Sequence, residues 1–340
     1  CGVEIDPFLY HGIQPRFYRV RENLQTDVED LRSRLTEDVK AVLVTHFLGF
    51  PQPVEKIRGI CDGKKAFLLE DCAHALLSSC NARDLGTFGD ISIFSLLKTL
   101  PVPNGGILVL NNESVSCQCG HRMPSPFGAL YYLADLWRQK TISEGSLSVL
   151  FQKLASAAMW RGMNAVKLGI AAVRKVTGKM GGALIRPDSF AFAPEIMEWG
   201  LSPASINLVN NTDLAMVKET RRHNFTHLLG RLLSSECREE LDLPFKTLPD
   251  GVCPLFFPLL TKGKGERDYL YQSLKEEGIT THPWWPGFHP AVPWKEFPEA
   301  VSLKERLFGI PVHQDITPEQ LERVVPELEK RCRELRRGHV

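Results

Sequence analysis

The feature that most constrains the fold is a regular alternation of short apolar runs and helix-like segments over residues 1–110. The runs at 40–45 and 66–70 are almost continuously apolar, as strands buried on both faces are. Two segments have helical spacing: 27–35 precedes the first of these runs, and 51–61 lies between the two. Such alternation predicts an α/β fold with a mostly parallel sheet flanked by helices. Further strands are predicted at 17–20, 90–95 and 106–110.

Composition limits the class of protein further. The chain has 340 residues, enough for about two domains, with 41 basic and 40 acidic residues. This balance gives no general attraction to nucleic acid, so we predict no nucleic-acid partner. The nine cysteines are scattered and odd in number, which favours free thiols and a reducing, cytoplasmic location. No run reaches 18 uninterrupted apolar residues, so no membrane-spanning helix is predicted.

The pattern changes along the chain and predicts three parts. Residues 1–125 form the large domain, 126–187 a helical insertion and linker, and 188–340 a small α+β domain. The small domain is expected to contain helices at 213–236, 266–277 and 317–337, and strands near 253–260 and 279–284. The chain opens at Cys1, without methionine, in what resembles a helix already under way. We therefore expect that an N-terminal segment is missing from this sequence.

Residues 147–179 are helical in pattern and cationic. One interpretation is an interfacial helix that lies on an anionic membrane surface. The other is an insertion that packs on the large domain or on a partner subunit. Its many alanines suit close helix packing better than contact with lipid, so the second interpretation is favoured.

Several chemically useful side chains fall where predicted strands end. His46, Asp71 and Ser95 each end or follow a predicted strand, His74 comes three residues after Asp71, and Lys98 follows Ser95 in a turn. Ligands of parallel sheets bind at the carboxyl ends of the strands, so these residues are candidates for one site.

The order of these residues resembles a known family. The motifs that carry the resemblance are Glu70-Asp-Cys-Ala-His74, Gly86-Thr-Phe-Gly-Asp90, Phe94-Ser95, Lys98, Gly105-Gly106, Val42-Leu-Val-Thr-His46-Phe-Leu-Gly49 and Ile310-Pro-Val-His313. Together they resemble the DegT/DnrJ/StrS sugar aminotransferases, which depend on pyridoxal phosphate and have fold type I. The resemblance implies a large pyridoxal-phosphate domain, a small C-terminal domain and a homodimer.

The resemblance also implies roles. Lys98 would hold pyridoxal 5'-phosphate as a Schiff base and then move protons. Asp71 would bind the pyridine nitrogen and keep the ring protonated, by a charge-assisted hydrogen bond. His74 would pack against the ring face, and the Ser95 hydroxyl would contact the phosphate.

His46, His289 and His313 are predicted to contact substrate. The aromatic segment 282–289 either lines a sugar or nucleotide pocket or only packs between the domains, and the second is slightly favoured. No metal is predicted. The residues with zinc-like spacing, which we interpret as free thiols in a loop, are Cys117, Cys119 and His121.

The function implied by the resemblance is transfer of an amino group from an amino acid, such as glutamate, to a keto-sugar nucleotide in polysaccharide or cell-surface glycan biosynthesis. Relatives that dehydrate their substrate carry histidine in place of the lysine, so Lys98 favours transamination. An intact enzyme is therefore favoured. The alternative is a catalytically degenerate member that serves as a structural or regulatory partner, and departures from the family pattern keep it open. Ser95 lies three residues before Lys98 instead of five, Asn104 replaces an acid, and no Asn-x-Arg motif is recognisable near 196–205.

Overall fold

The computed structural model describes residues 2–117, 122–123, 192, 194, 197–285 and 287–337. The helices are α1 (Gly2–Tyr10), α2 (Val28–Arg34), α3 (Val54–Lys64), α4 (Leu96–Thr99), α5 (Pro203–Asn210), α6 (Leu214–Leu233), α7 (Lys264–Glu276), α8 (Pro298–Arg306) and α9 (Pro318–Arg336). The strands are β1 (Ala41–Thr45), β2 (Phe67–Asp71), β3 (Ser79–Cys80), β4 (Arg83–Asp84), β5 (Ile91–Ser95), β6 (Gly106–Leu110), β7 (Phe256–Leu260), β8 (His282–Pro283) and β9 (Leu307–Pro311). In these ranges, no helix combines the length and the apolar character needed to span a bilayer.

The first sheet has the strand order β1-β2-β5-β6. β1, β2 and β5 run parallel, and β6 is antiparallel to β5 at the edge. The predicted α/β fold with a mostly parallel sheet is therefore confirmed. Register places Thr45 beside Asp71, and Asp71 beside Ile93, so the parallel strands end at the same edge of the sheet.

Helices α2 and α3 cover one side of this sheet. Asp27 caps α2, since its side chain accepts the backbone N–H groups of Glu29 and Asp30, which α-helical bonding leaves free. Apolar residues from both helices and the sheet form one core, which includes the fully buried Val44, Ile57 and Leu68.

A second sheet in the C-terminal half has the order β7-β9-β8 and is antiparallel. Helices α6, α7 and α9 pack on it around a core that includes Phe225, Phe257 and Phe308, all fully buried. The helices predicted at 213–236, 266–277 and 317–337 are confirmed to within a few residues. Helix α9 begins with a capping box, formed by Thr317 and Gln320.

Two predicted strands differ from the structure. Residues 17–20 form no strand, because Val20 makes only an isolated bridge to Thr26 across a turn. The strand predicted at 279–284 is reduced to β8, since only His282 and Pro283 pair with β9. The apolar pattern of 17–20 thus marks no ladder, and that of 279–284 marks one of two residues only. The predicted insertion at 126–187, with its basic stretch 147–179, lies outside the described residues.

Candidate active site

Asp71 ends β2 at the edge of the sheet where the three parallel strands finish. Its side chain is 4% exposed, and its Oδ1 accepts the backbone N–H of Ala73 at 2.9 Å. Burial, reinforced by a hydrogen bond and charge repulsion from the Glu4 carboxyl, raises the pKa of Asp71 to about 7. A carboxyl with this pKa is partly protonated near neutral pH, and a cation bound beside it would favour the ionised form.

Lys98 lies on α4, the four-residue helix that follows β5. Burial lowers the pKa of its amine, although the negative charges of Asp71 and Glu4 oppose the shift. The charges of Lys98 and Asp71 act on each other across the edge of the sheet. A desolvated lysine with a lowered pKa is the form that attacks carbonyl carbons.

Glu4, in the first turn of α1, is a member of this group that the sequence did not reveal. The Thr45 hydroxyl donates to Glu4 Oε1 at 3.4 Å, and the Glu4 carboxyl is hydrogen-bonded to Asp71. Two carboxyls in direct contact share one proton, since like charges at this distance oppose each other. Its presence as one of two acids in an otherwise apolar helix was the only sequence signal for it.

His74 is 6% exposed and faces the same group. Its Nδ1 accepts the backbone N–H of Leu48 at 3.3 Å, and its ring meets the edge of Trp284 with centroids 5.6 Å apart. Burial, helped by the charge of Lys98, lowers the pKa of His74 to about 3. The imidazole is therefore neutral near pH 7, and its plane is inclined by 63° to the ring of Trp284.

Ser95 is the last residue of β5 and the N-cap of α4, with extended backbone angles. Its side chain makes no capping hydrogen bond to that helix, so its half-buried hydroxyl is not committed to the helix end. The phosphate role of Ser95 stays a prediction.

His46 follows β1 but lies within the core, and its side chain is fully buried. Its Nε2 and Glu70 Oε2 are 3.0 Å apart, and its Nδ1 accepts the N–H of Gln52. Both ring nitrogens thus have protein partners. The predicted contact of His46 with substrate remains untested, and this placement does not favour it.

Glu70 organises the loop before β5 and was missed as an individual residue. Its carboxylate accepts the backbone N–H groups of Gly86 and Gly89 besides its bond with His46. Burial, the largest influence, would raise the pKa of Glu70, yet these hydrogen bonds together lower it. Glu70 therefore holds the loop before β5, whereas Asp71 faces the candidate site, because successive residues of a strand point to opposite faces.

The other two residues predicted to contact substrate, His289 and His313, contact different parts of the chain. His289 Nε2 is 2.9 Å from Asp6 Oδ1 on α1, which places it beside the helix that carries Glu4. His313 is half-exposed, and burial of its ring lowers its pKa, as does the charge of Arg221. Substrate contact stays a prediction for both.

The aromatic segment 282–289 packs against the site. Trp284 contacts His74 and Phe256, and Trp285 meets Phe47 at a centroid distance of 5.4 Å. The segment therefore joins the second sheet to the loops that follow β1 and β2. This contact accounts for packing between the two halves and also brings an aromatic wall next to His74.

In the described part of the chain, one trio of side chains has metal-ligand chemistry within reach: His46, Glu70 and Cys72 have donor atoms within 4.8 Å of one another. The His46 and Glu70 donors are occupied by hydrogen bonds, and burial raises the pKa of Cys72, which keeps its thiol protonated. The donors of this trio are thus engaged within the protein or protonated, which does not favour a metal ion there. Of the residues with zinc-like spacing, Cys117 is exposed, and Cys119 and His121 lie outside the described residues.

Asn104, the residue that departs from the family pattern, has a structural duty. Its Oδ1 accepts the N–H of Ser202 at 3.1 Å and the hydroxyl of Ser205 at 2.7 Å, and its Nδ2 donates to the carbonyl of Gly200 at 2.9 Å. An amide serves here as both donor and acceptor. An acid could not donate to Gly200 when ionised.

The residues present fit pyridoxal phosphate. Asp71 and Glu4 place two carboxyls in a buried site, and a protonated pyridine nitrogen would stabilise the ionised form of Asp71. Lys98 offers a desolvated amine opposite, and His74 offers a neutral ring. A carboxylate at the end of one parallel strand and a lysine just beyond the end of the next are the arrangement that the resemblance to fold type I pyridoxal-phosphate enzymes leads us to expect.

Comparison with known proteins agrees with this class. The model of the DegT/DnrJ/EryC1/StrS aminotransferase family matches residues 5–123 and 203–329. The chain belongs to this family. The match leaves out 124–202, which contains the predicted insertion.

Individual relatives are similar over shorter stretches. A GDP-perosamine synthase from Vibrio cholerae is 35% identical over 120 residues, which are 34% of this chain and 33% of that protein. A GDP-4-keto-6-deoxy-D-mannose 3-dehydratase from Yersinia pseudotuberculosis is 30% identical over 112 residues, 32% of this chain and 28% of that protein. The chain thus matches about a third of the length of these curated relatives.

Among solved structures, Helicobacter pylori PseC, an aminotransferase involved in the biosynthesis of pseudoaminic acid, has the same fold. The TM-score is 0.64 at 15% identity, with 97% of this chain and 76% of that chain covered. At this identity the likeness establishes the fold alone.

Proposed function

We propose that this protein is a pyridoxal-phosphate-dependent aminotransferase that moves an amino group from an amino acid, glutamate in the first instance, to a keto-sugar nucleotide in glycan biosynthesis. One observation carries the proposal. Asp71 is buried at the end of β2, Lys98 is half-buried just beyond the end of the adjacent β5, and their charges act on each other. This is the pair that the cofactor's two reactive ends require.

When bound, pyridoxal phosphate supplies an electron sink that stabilises negative charge at the α-carbon of the amino acid. Asp71 accepts the hydrogen bond of the protonated ring nitrogen and so maintains that sink. Lys98 Nζ holds the cofactor between turnovers and carries the proton to and from the α-carbon. His74 orients the ring by packing on it, and the Ser95 hydroxyl binds the phosphate.

Transamination and dehydration both occur among the similar proteins, and the residue at position 98 favours the first. A lysine can both form the covalent link to the cofactor and move the proton afterwards. The nucleotide-sugar acceptor is supported by the names of the relatives, which act on GDP sugars. His289 and His313 are the side chains that we propose for contact with this acceptor.

The test is to fix the cofactor on its lysine. Protein incubated with pyridoxal phosphate and then reduced with borohydride should gain one pyridoxyl group, which peptide mass spectrometry locates at Lys98. Lys98→Ala should lose both the group and transamination, whereas Lys64→Ala, at the end of α3, should keep both. Absence of label in the wild-type protein would support the degenerate alternative.

We further propose a cytoplasmic homodimer, on the basis of the resemblance and the cysteine usage, with the domains 1–125, 126–187 and 188–340. Sedimentation equilibrium should give twice the chain mass, and a monomer at micromolar concentration would contradict the dimer.

Limited proteolysis tests the domains and should cut first near the proposed boundaries.

A further inference from the structure

Arg221 is a buried arginine that the proposed mechanism does not use. It lies on α6 and is only 3% exposed. All of its hydrogen bonds to described residues go to neutral oxygens: Nη2 to the carbonyl of Thr99 at 3.0 Å, Nη1 to those of Pro254 and Leu255 at 3.3 Å each, and Nε to Gln314 Oε1 at 3.1 Å. Burial lowers its pKa more strongly than the charge of Asp315 can raise it. Burying a permanent charge in this way is costly, so packing alone does not explain the residue.

The first of these contacts reaches the helix that carries Lys98. Helix α4 has only four residues, and a helix this short does not hold its own conformation. The last carbonyls of a helix need partners from outside. Arg221 supplies one to Thr99, the residue next to Lys98, in a position where Thr99 is itself buried. The guanidinium therefore fixes the end of α4.

The other contacts reach the segment that leads into β7. The N–H of Leu255 donates to the carbonyl of Leu48 at 2.9 Å, and Leu48 in turn donates to His74 Nδ1. One planar guanidinium thus holds the turn after Lys98 and, through Leu255 and Leu48, the loop that positions His74. Because its donors form a rigid fork, the distance between these two pieces is set by the arginine.

We propose that Arg221 is a positioning residue for Lys98, which holds α4 so that the half-buried amine stays near Asp71 and largely shielded from water; this rests on the function proposed above. It acts through the Thr99 carbonyl and touches neither substrate nor cofactor. Loss of the fork releases α4, and the amine of Lys98 then reaches water.

The test uses the full chain and two pairs of variants. Arg221→Lys keeps the charge without the fork, and Arg221→Met removes both. Arg222→Lys and Arg222→Met are the matched controls, since Arg222 lies on the same helix and also donates to backbone carbonyls, those of Pro249 and Val252. In the cofactor-free protein, the rate of labelling of Lys98 by trinitrobenzenesulfonate is measured against pH by peptide mass spectrometry. Fixation of pyridoxal phosphate by borohydride is measured separately.

We expect both Arg221 variants to move the midpoint of Lys98 labelling upward by at least half a pH unit, toward that of an exposed lysine. Fixation of the cofactor should fall at least tenfold, and the Arg222 variants should stay within twofold of the wild type. Measurements are made well below each unfolding midpoint, and Arg221→Lys decides the matter if Arg221→Met does not fold. An unchanged Lys98 midpoint in an Arg221 variant with lowered thermal stability would overturn the proposal, as would equal effects in the Arg222 pair. If the wild-type protein takes no cofactor at Lys98, the proposed function fails. The labelling titration of the cofactor-free protein still tests whether Arg221 positions Lys98.

Discussion

Asp71 shows how a single residue is adapted to a cationic ligand. Its carboxyl is buried beside Glu4, and its pKa of about 7 means that near neutral pH the folded protein without cofactor holds it partly protonated. A bound pyridinium would favour the carboxylate, because the positive charge stabilises it. The buried pair of carboxyls therefore prepares the site for a cation.

This gives a pH-dependent prediction for the cofactor-free protein. The pKa of Asp71 in the folded protein lies above the unfolded value of about 3.9. The protonated carboxyl therefore contributes to the free energy of unfolding fully below about pH 4, and this contribution is lost as the pH rises through 7. We expect Asp71→Asn to be more stable than the wild type at pH 8, by at most about 4 kcal/mol, and equal to it at pH 4. Urea unfolding at both pH values measures the difference. Asp250→Asn, at a fully exposed position, should show none, and an Asp71→Asn variant no more stable at pH 8 would refute the account.

With cofactor bound, the same substitution should slow chemistry more than binding. A neutral amide at position 71 cannot hold the pyridine proton, so the electron sink is lost. We expect Asp71→Asn to take up pyridoxal phosphate while its half-reaction with glutamate slows at least a hundredfold, in single-turnover kinetics. Equal losses of binding and rate would mean that Asp71 has only a structural role.

At the scale of elements, the ends of the strands are fixed by backbone amides that bind buried side chains. Glu70 receives two glycine N–H groups and the imidazole of His46, so it holds the loop before β5 against the loop after β1. The neighbouring Asp71 depends on this frame, because both residues belong to β2.

Glu70→Gln should therefore weaken the whole edge of the sheet. The amide loses the charge that strengthens these bonds and has one acceptor oxygen in place of two, which should cost about 2–3 kcal/mol. Urea unfolding at pH 7 measures it. Glu29→Gln, at an exposed position on α2, should change stability by no more than about 0.5 kcal/mol. Equal effects of the two substitutions would contradict the role given to Glu70.

The turn after β1 offers a second test at this scale. Gly49 has φ +93°, and a Cβ there would lie 2.2 Å from the carbonyl oxygen of Cys253. Gly49→Ala should cost about 3 kcal/mol or more, from backbone strain and overlap together. Gly59→Ala, on an open face of α3, should instead stabilise by about 0.5–1 kcal/mol. Thermal unfolding separates them, and opposite signs are the expected outcome.

At the scale of the whole molecule, polar contacts of long sequence separation join the two halves. Ser78 exchanges hydrogen bonds with the backbone of Cys253, Arg221 reaches Thr99, and Asn104 binds the segment 200–205. The candidate site lies between these contacts, so its geometry depends on both halves.

Asn104 tests this connection. Asn104→Ala removes bonds to Ser202, Ser205 and Gly200, and should cost about 2–3 kcal/mol in urea unfolding. Asn104→Asp, which introduces an acid, keeps the acceptors and loses the donor, so it should cost less than the alanine. Asn23→Ala, in an exposed turn, is the control and should cost least. A reversed order of the two Asn104 variants would show that the amide donor dominates.

The sequence by itself determined the α/β class and the parallel strands, and with the family resemblance it predicted the candidates Asp71, His74, Ser95 and Lys98. It could do so because buried strands have a visible apolar pattern, and because parallel strands bring their carboxyl ends to one edge. Burial and periodicity are local properties of a chain, so local patterns predict them.

Only the tertiary structure decided which polar groups meet. Glu4 contacts Thr45 and Asp71, His46 is paired with Glu70 in the core, and Arg221 reaches across 122 positions to Thr99. The apolar run at 17–20 was predicted as a strand, yet it found no neighbouring strand to pair with. Which segments pair by a hydrogen bond or a strand ladder depends on how distant parts of the chain pack, and the residue pattern of one segment does not predict this packing.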